Sequence, residues 1–316
     1  MMKHKAIQIF MLLIMSCILL SCEKMVTEEE GPSGTSTAKQ NVVICVTDID
    51  AGWDGAASRA QVSIAEVCSR LQFAVFQNGS RVKYENQKTD DDDFGTFALQ
   101  LEAGTYQLLA LGHSGAGNVT TTNPAKLQFT NPETTNGTGF SDTFYYYGNM
   151  VVGGDGAQVN ISMKRATSMF RLNTNDAKPS KVKKFQFYYT GGSGALDATT
   201  GLGCVNSQQS VFVTLDDAQT GQPLTFEMYT FLHDESGSVS FTVKAFGVTD
   251  NILYTKEFKN VPMRRNCITQ YSGDFFTNDD GETPDEPVMP QPGPDEPSSS
   301  VVYVDPEWAD IFEYTF

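Results

Sequence analysis

Few side chains in this sequence are placed to do chemistry. Cys22 follows Leu19-Leu20-Ser21 at the end of an almost unbroken apolar run, Ala6 to Leu20, which is headed by Lys3, His4 and Lys5. A basic start, an apolar stretch too short for a comfortable membrane span and a small residue before cysteine form an export signal. The thiol of Cys22 is the candidate for acylation, the alternative being an ordinary secreted signal peptide with an incidental cysteine, and two or more acyl chains give stable membrane anchoring where one does not. Other constellations fail on context. Gly112-His113-Ser114-Gly115-Ala116 is one residue short of a nucleophile elbow, and the Thr/Asn/Pro stretch from Asn118 to Pro124 stands where a helix is required. Asp90 to Asp93 does not fit a calcium loop, because aligning Gly95 with the loop glycine puts Phe94 at a ligand position and Leu101 where glutamate belongs. Beyond the export signal only His113 and His233 remain as histidines, too few for a multi-histidine metal site. No enzyme, cofactor or metal is expected.

The run Phe144-Tyr145-Tyr146-Tyr147, with Trp53 or Trp308, offers a platform on which a sugar could stack if it were exposed. Within a strand such a run is more often half core and half interface. Cys45, Cys68, Cys204 and Cys267 are left after the signal and Cys22 are set aside. Four thiols allow three disulfide pairings, and buried free cysteine is at least as good a reading for Cys45 and Cys267.

The elements that must position these groups read as strands. The chain has 316 residues, 33 of them Phe or Tyr and 27 Gly, with 40% hydrophobic and 19% charged residues. That composition buries a core and favours strands and tight turns. Leu71, Phe73 and Val75 alternate with Gln72 and Ala74, and Asn78-Gly79 then signals a hairpin. Val239, Phe241, Val243 and Ala245 alternate strictly with Ser238, Ser240, Thr242 and Lys244. Further strand patterns cover Thr143 to Val152, Ala157 to Met163, Ile252 to Phe258 and Ile268 to Phe276, with a shorter one at Lys126 to Thr130. Helical periodicity is confined to Gln61 to Arg70. The expectation is an all-β protein of sandwiches with packed inner faces and wet outer faces.

The segmentation expected is a signal peptide (1–21), a flexible tether (22–39), an amino-terminal sandwich (40–165), a carboxy-terminal sandwich (166–277), an acidic proline-rich linker (278–300) and a terminal strand segment (301–316). The net charge of −16 excludes nucleic acid as a natural partner. Residues 278–316 carry eleven acids and no base, so most of that charge belongs to linker and tail. The tail ends in Phe312, Tyr314 and Phe316 at period two, with Val302 and Val304 before them. An apolar strand at the end of a spacer must bury itself, either on its own second domain or on another subunit by strand addition.

Several stretches together resemble the Bacteroidales fimbrillin superfamily, the type V pilus subunits and their FimB/Mfa-like lipoprotein relatives. They are the lipobox Leu19 to Cys22, Leu71 to Gly79, Leu101-Glu102-Ala103-Gly104-Thr105-Tyr106, Arg165, and Val261-Pro262-Met263-Arg264-Arg265-Asn266. The resemblance implies two tandem transthyretin-like β-sandwiches. It also implies an outer-membrane lipoprotein, lipidated at Cys22 and exposed at the surface, that is a structural subunit or anchor of a fimbria. Its partners would be other fimbrial subunits, with host or bacterial surface ligands in adhesion. In that family polymerising subunits lose a first strand to proteolysis. Arg59, after the candidate first strand Val42 to Ile49, is the corresponding cleavage point here, and Val302, Val304, Phe312, Tyr314 and Phe316 form the candidate donor strand. The competing reading is a surface glycan-binding lipoprotein.

Overall fold

Period-two alternation builds most of this molecule, and the positions that depart from it mark where layers meet. The computed structural model describes residues 38–50, 64–115, 117–129, 140–277 and 308–316, which lie within one compact unit, Ala38–Phe316. Cys22, Trp53, Arg59, Val302 and Val304 lie outside the described residues.

The first strands in chain order are β1 (Gln40–Asp50), β2 (Arg70–Gln77), β3 (Ser80–Lys88), β4 (Thr96–Leu101), β5 (Gly104–His113), β6 (Leu127–Gln128), β7 (Thr143–Val152) and β8 (Ala157–Arg165). Seven of them form a sheet in the order β3-β2-β5-β7-β8-β1-β4. β7 and β8 pair at Phe144↔Arg165 and Tyr145↔Lys164 and are bridged again at their turn by Gly153↔Gly156, so they part between these points and the sheet divides there into two layers. Phe73, Leu108 and Phe144 from one layer meet Ile44, Phe97 and Ile161 from the other in a single core. β1 is an interior strand, parallel to β8 and antiparallel to β4, with Val42 and Ile44 buried. Asn78 and Gly79 make the two-residue β2–β3 turn with φ of 51° and 77°, the left-handed pair that such a hairpin requires.

The remaining strands are β9 (Ser168–Thr174), β10 (Lys184–Ser193), β11 (Ala195–Asp197), β12 (Leu202–Gly203), β13 (Asn206–Thr214), β14 (Thr225–Thr230), β15 (Ser236–Phe246), β16 (Ile252–Arg264), β17 (Cys267–Gly273) and β18 (Asp310–Thr315). Eight of them make two four-stranded sheets, β13-β10-β15-β16 and β14-β9-β17-β18, and β11 and β12 form a small three-stranded sheet with β6 in the order β12-β11-β6. Phe185, Phe187 and Phe241 face Phe170, Phe226 and Tyr271 across the core, with the Phe170 and Phe241 rings stacked at 4.0 Å. The strict alternation of β15 is realised: Val239, Phe241, Val243 and Ala245 are buried. The chain is all-β with a sandwich-like arrangement, as expected.

Three readings need correction. Helical periodicity over Gln61 to Arg70 yields, among the described residues, one turn, Ile64–Val67, because Arg70 already opens β2. The strand expected over Lys126 to Thr130 is, among the described residues, only Leu127–Gln128, paired to β11. The outer face of β2 is not wet: Ala74 and Phe76 are buried with Leu109, Leu111, Leu196 and Phe231 in a cluster shared by residues of both sandwiches. Gln72 on the same face stays polar at low cost because its Oε1 accepts the Val119 amide at 2.7 Å while its Nε2 donates to the Val119 carbonyl at 2.9 Å.

Candidate functional site

The tail supplies the candidate site. β18 runs parallel to β17 in the register Cys267↔Asp310 through Ser272↔Thr315, and β17 is its sole strand neighbour among the described residues. Backbone bonds extend the ladder at both ends. Ala309 N–H donates to the Asn266 carbonyl at 2.9 Å, and Phe316 N–H donates to the Ser272 carbonyl at 3.2 Å. Tyr314 stacks on Tyr271 at 4.9 Å, and Phe316 meets Phe258 edge-on at 5.0 Å. Gln270 Nε2 donates to Glu313 Oε1 on the outer side at 3.1 Å. Gly273 is required here, since a Cβ at that position would lie 2.1 Å from the Phe316 carbonyl oxygen. Burial beside Tyr314 pushes the Tyr271 phenol up to about 12, so it stays neutral.

Trp308 heads the strand and is its deepest residue, 5% exposed. It packs with Met169 and Ile268 and lies 6.3 Å from the Tyr229 ring. The Arg165 guanidinium sits over it at 3.9 Å, and over Phe144 at 4.9 Å. Arg165 Nε lies 3.0 Å from both carboxylate oxygens of Asp142, and Nη1 donates to Asn266 Oδ1 at 2.7 Å. Thr167 donates to the same carboxylate at 2.7 Å. A planar guanidinium with hydrogen bonds at its edge and aromatic rings on its faces is the arrangement that suits arginine and not lysine. The chain carries Arg165 at the end of β8, Asn266 in the turn that opens β17, and Trp308 at the tail. One knot therefore ties both sandwiches and the terminal strand.

Phe312, Tyr314 and Phe316 lie together on the tail as the sequence pattern implies, and the tail is seated on its own chain. Arg165 and Asn266, quoted from separate stretches of sequence, are in contact. Asp142, Met169 and Gly273 carry no mark in the sequence pattern, and only the fold brings them, with Ile268, to the tail. The aromatic run of β7 is used internally: Phe144 and Tyr146 pack on the first core, Tyr145 and Tyr147 on the shared cluster. With Trp308 buried under Arg165, these rings present no exposed sugar-stacking platform among the described residues. All four described cysteines are free, and burial pushes the Cys267 thiol up to about 11. His113 is buried, with Nδ1 accepting the Gly115 amide at 3.1 Å, and Ser114 Oγ accepts the Ser69 amide at 3.1 Å. Neither is arranged as a nucleophile and base. No cluster of metal-ligating side chains occurs among the described residues.

No curated protein matches the chain. Among solved structures, the fimbrial anchor protein Mfa2 from Porphyromonas gingivalis aligns at 12% identity with a TM-score of 0.42, over 71% of this chain and 84% of that one. A fimbrial assembly protein from Parabacteroides distasonis aligns at 14% identity with a TM-score of 0.36, over 75% and 91%. A candidate adhesin from Bacteroides ovatus aligns at 10% identity with a TM-score of 0.47, over 75% and 88%. The sequence model of the family described as fimbrillin-A associated anchor proteins Mfa1 and Mfa2 matches residues 33–306. With that match over most of its length, the chain belongs to the fimbrillin-A associated anchor proteins, a family of fimbrial structural proteins and not of enzymes.

Proposed function

We propose that this chain is a lipid-anchored outer-membrane protein, acylated at Cys22 and exposed at the cell surface, that serves as a structural subunit or anchor of a type V-like fimbria. It joins other fimbrial subunits by strand addition, and through the fibre it contributes to adhesion. Family membership supports the fimbrial role, and the Leu19-Leu20-Ser21-Cys22 sequence supports the lipid anchor.

The observation that carries strand addition is the terminal strand itself. It completes a sheet from the end of a separate linker, along one edge, with Trp308 as its only deeply buried side chain. Edge pairing of this kind draws affinity from backbone bonds and specificity from alternate side-chain pockets. The interior position of β1 supports the second part of the scheme, since its loss would leave an open channel between β8 and β4. Cleavage after Arg59 would release it.

Mass spectrometry of protein purified from cell surfaces tests the proposal. The expected amino-terminal peptide begins at an acylated Cys22 in an anchoring form, or just after Arg59 in a polymerising form. An unmodified chain that still carries Lys3 to Ser21 would overturn the lipoprotein reading. Deleting residues 301–316 should abolish subunit association, and unchanged association would overturn strand addition.

A further inference from the structure

The tail's seat on the carboxy-terminal sandwich is a complete binding site whose contacts do not depend on which molecule supplies the strand. We infer that this site, the β17 edge headed by the Trp308 pocket, accepts the terminal strand of a second copy of this chain, so that anchored neighbours exchange tails. This inference rests on the proposed anchoring and strand-addition reading, and it names the acceptor and its occupant.

Three observations carry it. First, the site is built for this segment. Arg165, Met169, Ile268 and Tyr229 surround the indole, Tyr271 and Phe258 receive Tyr314 and Phe316, and Gly273 leaves space for the terminal carbonyl. Second, the pairing of the tail is parallel and so needs a crossover. β18 is parallel to β17, so the chain must return from the end of β17 to its start before pairing. Third, the link is far longer than that return demands. β17 has seven residues, a return of about 23 Å at the usual rise per strand residue. Residues 278–307 supply thirty residues, roughly 100 Å of extended chain. A second copy's site is thus within reach of the same tail.

The choice between own tail and neighbour's tail is a matter of concentration. A tether of this kind holds its strand near its own site at an effective concentration on the order of millimolar. In dilute solution the own tail wins. Copies gathered on one membrane surface compete at comparable concentration, and exchanging an identical element adds no new contact and loses none. The exchanged state joins copies through two tethered strands.

The partners Gln270 and Glu313 face each other on the exposed side of the ladder, which makes them the place to trap exchange. Two full-length chains of different mass are prepared on a Cys204→Ser background, one carrying Gln270→Cys and the other Glu313→Cys. They are mixed from micromolar to near-millimolar concentration and oxidised. A Ser236→Cys chain, exposed and off this ladder, replaces Gln270→Cys as the random-collision control. Exchange predicts a covalent heterodimer that rises with concentration to roughly tenfold over that control. It also predicts a loss of that heterodimer when Trp308→Ala is added to the Glu313→Cys chain. A single chain carrying both substitutions reports seating on its own site.

Heterodimer at the control level, with the single-chain pair closing fully, would mean the site takes only its own tail and would overturn the inference. Failure of the single-chain pair to close would overturn it too, because the strand would not be seated in this register. Neither outcome involves Cys22 acylation or Arg59 cleavage, so the anchoring reading would stand apart from the result.

Discussion

Trp308→Ala separates tail docking from domain stability. Trp308 is 5% exposed and lies under the Arg165 guanidinium at 3.9 Å, whereas Ile311, Phe312, Tyr314 and Phe316 are only half-buried. Truncating a buried tryptophan to alanine costs about 3–5 kcal/mol, and the lost cation–π contact is part of that figure. Arg165 keeps Asp142 and Asn266 as partners, so no charge is left bare. Taking about 3 kcal/mol as the share that falls on docking, the ratio of released to docked tail rises by about 150-fold. Hydrogen exchange read by mass spectrometry is the assay. The peptide spanning 308–316 includes the Ala309 and Phe316 amides bonded to Asn266 and Ser272. Its exchange should accelerate by about that factor, with β10 and β15 keeping their protection. Unchanged exchange in the tail would refute the role given to Trp308. Equal loss of protection across β10, β15 and the tail would refute the idea that the tail detaches as a unit.

Other substitutions test other parts of the account. Arg165→Ala leaves the Asp142 carboxylate without its cation and removes the lid over Trp308, and should cost about 3–5 kcal/mol in chemical denaturation. Gly273→Ala should free only the end of the tail, since its Cβ collides with the Phe316 carbonyl; exchange at residues 315–316 should rise while Trp308 stays buried, as read by its fluorescence. Gly201→Ala should destabilise more broadly, because Gly201 has φ +77° and a Cβ there would lie 1.9 Å from the Tyr145 hydroxyl. Burial, with a smaller contribution from Arg70, lowers the His113 pKa to about 4. The native state therefore keeps His113 neutral while the unfolded chain takes up its proton near 6.5, so stability falls as pH drops from about 6.5 to about 4 and then levels off for this group. Thermal melts across that range should show the decline, and His113→Phe should flatten it.

Period two identified β2, β7, β8 and β15 because each has one face wholly in a core. It missed β9, whose Met169, Phe170 and Leu172 are buried on two faces and break the alternation. It also took Ala74 as a solvent position, although Ala74 lies under the second sandwich. The tail was legible as a strand that had to be buried, because Phe312, Tyr314 and Phe316 repeat at the right spacing on a polar, charged spacer. Its seat was not, because Arg165, Asn266 and Trp308 are far apart in the chain and only the fold makes them neighbours. Cation–π stacking and a parallel edge ladder leave no periodic mark in sequence.

The central claim is that this chain enters a surface fibre through its terminal strand. It is tested most directly by shearing fibres from cells that express either the full chain or the chain lacking residues 308–316, and measuring how much of each is in the fibre fraction. The account predicts that the full chain is present, beginning at an acylated Cys22 in an anchoring form or just after Arg59 in a polymerising form, and that the truncated chain is lost from the fraction while remaining in the outer membrane. Equal recovery of the two chains would contradict it.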